Sequence, residues 1–100
     1  MAVAFIQEWK IQDRTTTNYD AINERLNARE DPPEGGIVHT AGFDEDAGVF
    51  RIFDVWETRD QGERFIRERL MPIIEEVTAG QPDARRPDRE GWYELHDLMK

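Results

Sequence analysis

The chain contains no cysteine. That absence excludes a disulfide framework, a thiol nucleophile and thiolate metal sites. Histidine occurs only twice, which leaves no ligand set for a structural zinc ion, and no metal is expected. Basic residues are outnumbered, 13 against 22 acidic ones, for a net charge of −9. Such an acidic surface repels phosphate backbones and anionic lipid, so neither nucleic acid nor a membrane is an expected partner. No apolar run approaches the ~18 residues of a membrane span. The N-terminal MAVAFIQEWK lacks the basic segment and long apolar core of a secretory leader, making the cytoplasm the default location. No phosphate loop, dinucleotide fingerprint or Gly-x-Ser-x-Gly elbow is present. Nucleotide cofactors and serine-hydrolase chemistry are therefore disfavoured, and no cofactor is expected.

What remains is one domain of 100 residues, 38% hydrophobic and 35% charged, with ten aromatic residues that argue against disorder. A core drawn from so few apolar residues is thin, and a subunit interface is a natural place for the rest. Val3 to Trp9 is a short β-type run. Thr17 followed by Asp20 suggests a helix start, and Tyr19, Ile22 and Leu26 form one apolar stripe up to about Arg29. Asp31-Pro32-Pro33-Glu34-Gly35-Gly36 stops that helix. Two further β-type segments, Ile37 to Phe43 and Val49 to Trp56, flank a short turn and predict a hairpin. The second of these is apolar on almost both faces, as in a central strand covered on two sides.

Thr58 with Gln61 reads as a capping box that opens a second helix. Phe65, Ile66, Leu70, Ile73, Ile74 and Val77 give it a broad apolar stripe, and Pro72 predicts a kink or a fresh turn near Met71. Ala79 to Gly91 reads as a mobile connection, and Trp92 to Met99 as the last strand. The order β-α-β-β-α-β predicts an α+β, ferredoxin-like domain: an antiparallel four-stranded sheet in the order 4-1-3-2 with both helices on one face. The other face is apolar too, and a second copy packed sheet against sheet through a two-fold contact would cover it. A homodimer is the expected partner state.

The segments resemble the dimeric α/β-barrel superfamily, in its antibiotic-biosynthesis-monooxygenase-like branch. Asp54-Val55-Trp56-Glu57-Thr58 is similar to the Trp-Glu-Ser turn of that group. A nearer likeness is to small uncharacterised actinobacterial-type proteins, through His39-Thr40-Ala41-Gly42, Glu68-Arg69-Leu70-Met71-Pro72 and Leu95-His96-Asp97-Leu98. The resemblance implies a ferredoxin-like dimer, and the superfamily holds cofactor-independent oxygenases, polyketide cyclases, isomerases, haem-degrading enzymes and proteins without known activity. It implies further that Trp56 borders a pocket between sheet and helices.

The candidate catalytic residues are His39 and Asp54. Hairpin register decides whether they meet. A four-residue loop from Glu45 to Gly48 places His39 opposite Asp54, giving an imidazole oriented by a carboxylate, as a general base requires. A three-residue loop with Gly48 in a bulge places His39 opposite Val55 instead. Asp54, between Phe53 and Val55, needs a partner, and Arg51 or a backbone amide are the alternatives to His39. Trp56, Phe50, Tyr19 and Phe65 are candidate pocket walls, with Tyr19 able to donate a hydrogen bond to an enolate or phenolate. Arg51 is a candidate for neutralising an anionic substrate, and His96 for lining a site on the last strand. In the 4-1-3-2 sheet His39 and His96 sit ~14 Å apart and cannot pair within one subunit. Asp44-Glu45-Asp46 lacks calcium-loop spacing and reads as a solvated turn.

Two function classes follow. One is a cofactor-free enzyme that takes a proton from a small aromatic or polyketide-like molecule, the anion then reacting with oxygen or with an internal carbonyl. The other is a non-catalytic dimeric module that binds a small molecule or serves as an accessory subunit. Haem handling, as in related barrels, is a third.

Overall fold

A computed structural model describes residues 1–100. Its elements run β1 (Val3–Lys10), α1 (Thr17–Leu26), β2 (Gly36–Asp44), β3 (Val49–Trp56), then a helical stretch of three parts and β4 (Arg89–Glu94). The helical stretch comprises α2 (Arg59–Phe65), a wide π-type turn (Ile66–Leu70) and α3 (Met71–Thr78). The four strands form one antiparallel sheet ordered β2-β3-β1-β4. This is the ferredoxin-like arrangement that the sequence predicts. None of the helices is long and apolar enough to cross a membrane.

The helix boundaries follow from local chemistry. Thr58 accepts from the Gln61 backbone N–H and starts α2. Pro72, at the start of α3, has no N–H to offer the preceding turn, and its ring crowds the carbonyl four residues back. The chain widens there, and the Met71 N–H reaches the Ile66 carbonyl, five residues earlier. The N-cap of α1 is Thr16, one residue before the position predicted: its carbonyl accepts from the Asp20 backbone N–H (2.8 Å), and its hydroxyl donates to the Asp20 carboxylate (2.8 Å). That helix ends at Leu26, sooner than Arg29, where Asn27 turns left-handed (φ 50°).

Two expectations for the C-terminal third are corrected. The last strand spans Arg89 to Glu94, not Trp92 to Met99. Val3 pairs with Glu94 and Leu95 donates to the Ala2 carbonyl, so β1 has run out of residues to pair with anything later. The connection before β4 is also tied down rather than mobile. Asp88 donates to the Glu8 carbonyl (2.8 Å), Lys10 donates to the Asp88 carboxylate (2.8 Å), and Arg85 donates to the Lys10 carbonyl (2.9 Å).

Strand alternation gives the sheet two faces. Toward the helices lie Val3, Phe5, Phe50, Ile52, Asp54, Trp56, His39 and Trp92. The buried cluster of Val3, Phe5 and Trp56, flanked by Phe65, Ile66 and Trp92, sits under α2. Phe5 stacks on Trp92 (centroids 4.4 Å apart), and α2 approaches both tryptophans through Gly62. A Cβ at Gly62 would lie 2.6 Å from Trp92 Cη2 and 3.0 Å from Trp56 Cγ. Gly62→Ala is therefore expected to destabilise the fold. Overpacking of about 1–3 kcal/mol outweighs the helix-propensity gain of at most about 1 kcal/mol. Chemical denaturation checks this: the midpoint falls with the slope unchanged.

The opposite face carries three rows that run across all four strands. The first is Val38–Val55–Ala4–Tyr93, the second Thr40–Phe53–Ile6–Gly91, and the third Gly42–Arg51–Glu8–Arg89. The third row is ionic. Glu8 accepts from Arg51 (2.6 Å) and Arg89 (3.2 Å), and Arg51 also reaches Asp44 (2.7 Å).

Candidate active site

The β2–β3 turn decides the site. The Asp44 carboxylate accepts from the Ala47 N–H (3.0 Å), Gly48 donates to the Asp44 carbonyl (2.9 Å), and Gly48 takes a positive φ of 71°. Asp44 thereby pairs with Val49, the loop is Glu45 to Gly48, and His39 falls opposite Asp54. Of the two registers the sequence allowed, the structure adopts the one that joins the two candidate catalytic residues. The pairing irregularity of β2 lies at its other end, between Gly36 and Val38.

His39 Nδ1 lies 2.5 Å from Asp54 Oδ1. With a carboxylate as acceptor, Nδ1 carries the proton and donates, leaving Nε2 as the acceptor of the neutral ring. The Tyr19 hydroxyl, from α1, stands 2.7 Å from that Nε2. Tyr19 and His39 are nearly parallel (9°, centroids 6.1 Å), and Tyr19 meets Phe50 edge-on (5.7 Å). Asp54, His39 and Tyr19 thus form one continuous hydrogen-bonded chain on the helix-facing side of the sheet.

The segment leading into α1 is fixed by local bonds. Thr15 donates to the Asp13 carboxylate through its backbone N–H (2.9 Å) and through its hydroxyl (2.8 Å). At the far end, Arg69 donates to the carbonyls of Leu26 (3.0 Å) and Asp31 (3.1 Å). Asn18 bonds Gln81 (2.9 Å), beyond α3. Tyr19 is placed by an anchored helix.

The electrostatics make the imidazole a stronger base. The hydrogen bond to Asp54 raises the His39 pKa above the ordinary histidine value, against the opposing effect of desolvation. Desolvation raises the Tyr19 pKa above its ordinary value, and the charges of Asp54 and Asp20 add to it, so the phenol stays neutral. The His39 side chain is 49% exposed and that of Asp54 19%, so the chain lies within reach of a solute.

The other candidates divide. Trp56 and Phe65 belong to the core under α2, with centroids 5.3 Å apart. The Trp56 indole Nε1 is nonetheless buried without an acceptor, although it sits two residues along β3 from Asp54 on the same face. Arg51 projects from the opposite face into the ionic row and reaches neither Asp54 nor the His39 site. His96 lies past the end of β4, exposed, at the sheet edge away from β2. A concavity of about 280 Å³ beside Thr40, Gly42, Arg51 and Phe53 also opens on the face away from the helices.

Two features escaped sequence reasoning. The Tyr19–His39 bond joins elements that no local pattern relates, although the stripe on α1 did aim Tyr19 at the sheet. Glu8 was overlooked, yet alternation along Phe5-Ile6-Gln7-Glu8-Trp9 places this acid on the Ile6 face, where only a basic partner would settle it.

No family model and no curated protein matches the sequence. Solved structures do match, over almost its whole length. SnoaB from Streptomyces nogalater, a cofactor-independent oxygenase, is similar with a TM-score of 0.67 at 15% identity, covering 98% of this chain and 96% of that one. Rv0793 from Mycobacterium tuberculosis gives a TM-score of 0.68 at 14% identity, covering 100% of both chains. A candidate antibiotic biosynthesis monooxygenase from Caulobacter crescentus gives 0.69 at 12% identity, covering 96% of this chain and 91% of that one. The chain therefore has the ferredoxin-like fold found in proteins of the antibiotic-biosynthesis-monooxygenase type. At these identities the likeness is one of fold.

Proposed function

We propose that the protein is a cytoplasmic, homodimeric, cofactor-independent monooxygenase or cyclase acting on a small aromatic or polyketide-like molecule. The observation that carries this reading is the Asp54–His39–Tyr19 chain, which ends at the Tyr19 hydroxyl with the Phe50 ring edge-on to Tyr19. A carboxylate that orients an imidazole is an arrangement for removing a proton. The rings of Tyr19 and Phe50 at the end of the chain favour a flat aromatic substrate. The oxygenase activity of SnoaB, on the same fold, supports the same class of chemistry. Deprotonation yields a delocalised carbanion or phenolate, which reacts with oxygen or closes on an internal carbonyl.

The test is turnover of a panel of anthrone- and naphthol-type phenols, followed by oxygen uptake and product mass. His39→Ala is expected to lower turnover about 10²–10⁴-fold, the usual contribution of a positioned acid–base group. Full activity in His39→Ala would end this assignment of roles. Binding of the phenols without turnover by the unaltered protein would favour the non-catalytic binding module. Haem handling through His39 is opposed by the geometry: both ring nitrogens are engaged, so iron ligation would first have to break the Tyr19 or Asp54 bond.

A further inference from the structure

We propose that Tyr19, not His39, is the group that meets the substrate, and that the acidic group it meets is a phenol or enol O–H. This inference rests on the acid–base reading above and assigns its outermost member. His39 and Asp54 then act behind Tyr19 as a proton relay.

The geometry carries this. Nδ1 of His39 is held by Asp54 and Nε2 by the Tyr19 hydroxyl. An imidazole has two nitrogens and no third position, so a substrate cannot hydrogen-bond to His39 while both bonds stand. The Tyr19 oxygen has one hydrogen, directed at Nε2, and two lone pairs. At the Tyr19 end of the chain those lone pairs are the acceptor sites left open. An incoming hydroxyl therefore finds the Tyr19 oxygen, with the ring of Phe50 beside it for its aromatic body.

The transfer balances as two hops of one proton each. The substrate O–H bond breaks as its proton joins the Tyr19 oxygen. The former Tyr19 proton passes to His39 Nε2, and no electron changes centre. The products are a substrate phenolate or enolate, a neutral Tyr19 and an imidazolium paired with Asp54. Tyr19 never accumulates as an anion, which suits a phenol whose ionisation burial and the Asp54 and Asp20 charges oppose. The proton finishes on the ring that the Asp54 hydrogen bond makes the better base. A hydroxyl acid fits this chain better than a carbon acid, because the Tyr19 lone pair approaches an O–H in ordinary hydrogen-bond geometry before transfer.

The probe is 4-nitrophenol, whose phenolate absorbs in the visible, added at a pH where the free probe is mostly neutral. Binding is followed by tryptophan fluorescence, ionisation by the phenolate band. The unaltered protein is expected to raise the bound phenolate fraction. Tyr19→Phe, which keeps the ring, is expected to bind the probe and lose about tenfold or more of that phenolate; His39→Gln is expected to do the same. Retention of the band in Tyr19→Phe with its loss in His39→Gln would overturn the relay, since His39 would then meet the probe directly, while leaving the acid–base function standing. Absence of binding, or a bound probe that stays neutral on the unaltered protein, would overturn both. The ligand-free protein offers an independent check, because Tyr19→Phe is expected to shift the His39 Nε2 nitrogen resonance. An unmoved resonance would show that the bond closing off Nε2 is absent, and the relay would fall. Near-UV circular dichroism confirms that each variant is folded.

Discussion

Asp54→Asn is expected to lower turnover at least about 100-fold while leaving the fold intact. The side chain keeps its shape, so packing between Phe53 and Val55 is undisturbed, and the loss comes from charge and tautomer. Asparagine carries no negative charge to stabilise an imidazolium. If its amide nitrogen turns toward the ring, Nδ1 must accept, and Nε2 becomes the donor. A donating Nε2 cannot receive the Tyr19 proton. The pH profile gives a second readout. Activity needs a neutral His39, so it rises with pH through the folded-state His39 pKa, which the Asp54 hydrogen bond holds above the ordinary histidine value. In Asp54→Asn that rising limb is expected to move to lower pH even as its plateau falls. The linkage to stability has the same origin. A raised folded pKa means that the His39–Asp54 pair stabilises the fold fully below the unfolded value, and that this stabilisation fades as pH climbs through the folded one. A variant that kept both the plateau and the limb would show that Asp54 only fills space.

How much of this could be read in the sequence depends on what each residue needs to know. The order of strands, the two helices and the break at Pro72 were legible because each is set within a dozen residues by alternation, capping and a missing N–H. The His39–Asp54 pairing was legible only as one of two registers. The choice rests on whether the Asp44 carboxylate reaches the Ala47 N–H, and the composition of that turn does not determine it. The end of β4 was misread because Tyr93-Glu94-Leu95-His96 has β-type character of its own, whereas the strand ends where β1 begins at Val3. Arg51 looked like a partner for Asp54 through proximity in sequence. Three positions apart on a strand means opposite faces, and its carboxylate partners, Glu8 and Asp44, come from β1 and β2.

Replacing Val38 and Tyr93 together, as Val38→Asp and Tyr93→Glu, is expected to convert the proposed homodimer into a particle of 11.7 kDa, the mass of one chain. The tyrosine at the Glu94 edge of the sheet and the valine at the Gly36 edge end the same apolar row, with Val55 and Ala4 between them. Both end residues are about half exposed, 45% for Val38 and 48% for Tyr93, and both helices lie across the other face. A two-fold contact between copies would lay such rows against one another and bury their ends, with Arg51 and Arg89 already balanced by Glu8 and Asp44. An unpaired carboxylate buried in that contact costs about 3–5 kcal/mol. Each substitution would occur twice in a two-fold interface, so even the lower figure for one site comes to about 6 kcal/mol, a weakening of roughly 10⁴-fold. Sedimentation equilibrium distinguishes the outcomes: twice the chain mass for the unaltered protein and the single-chain mass for the double variant. The helix-facing site lies on the other side of the sheet, so the His39 ring resonances of the dissociated variant should still report the Asp54 bond. An unaltered protein that sediments as one chain at high concentration would mean that Val38 and Tyr93 face water, and the homodimer would be abandoned.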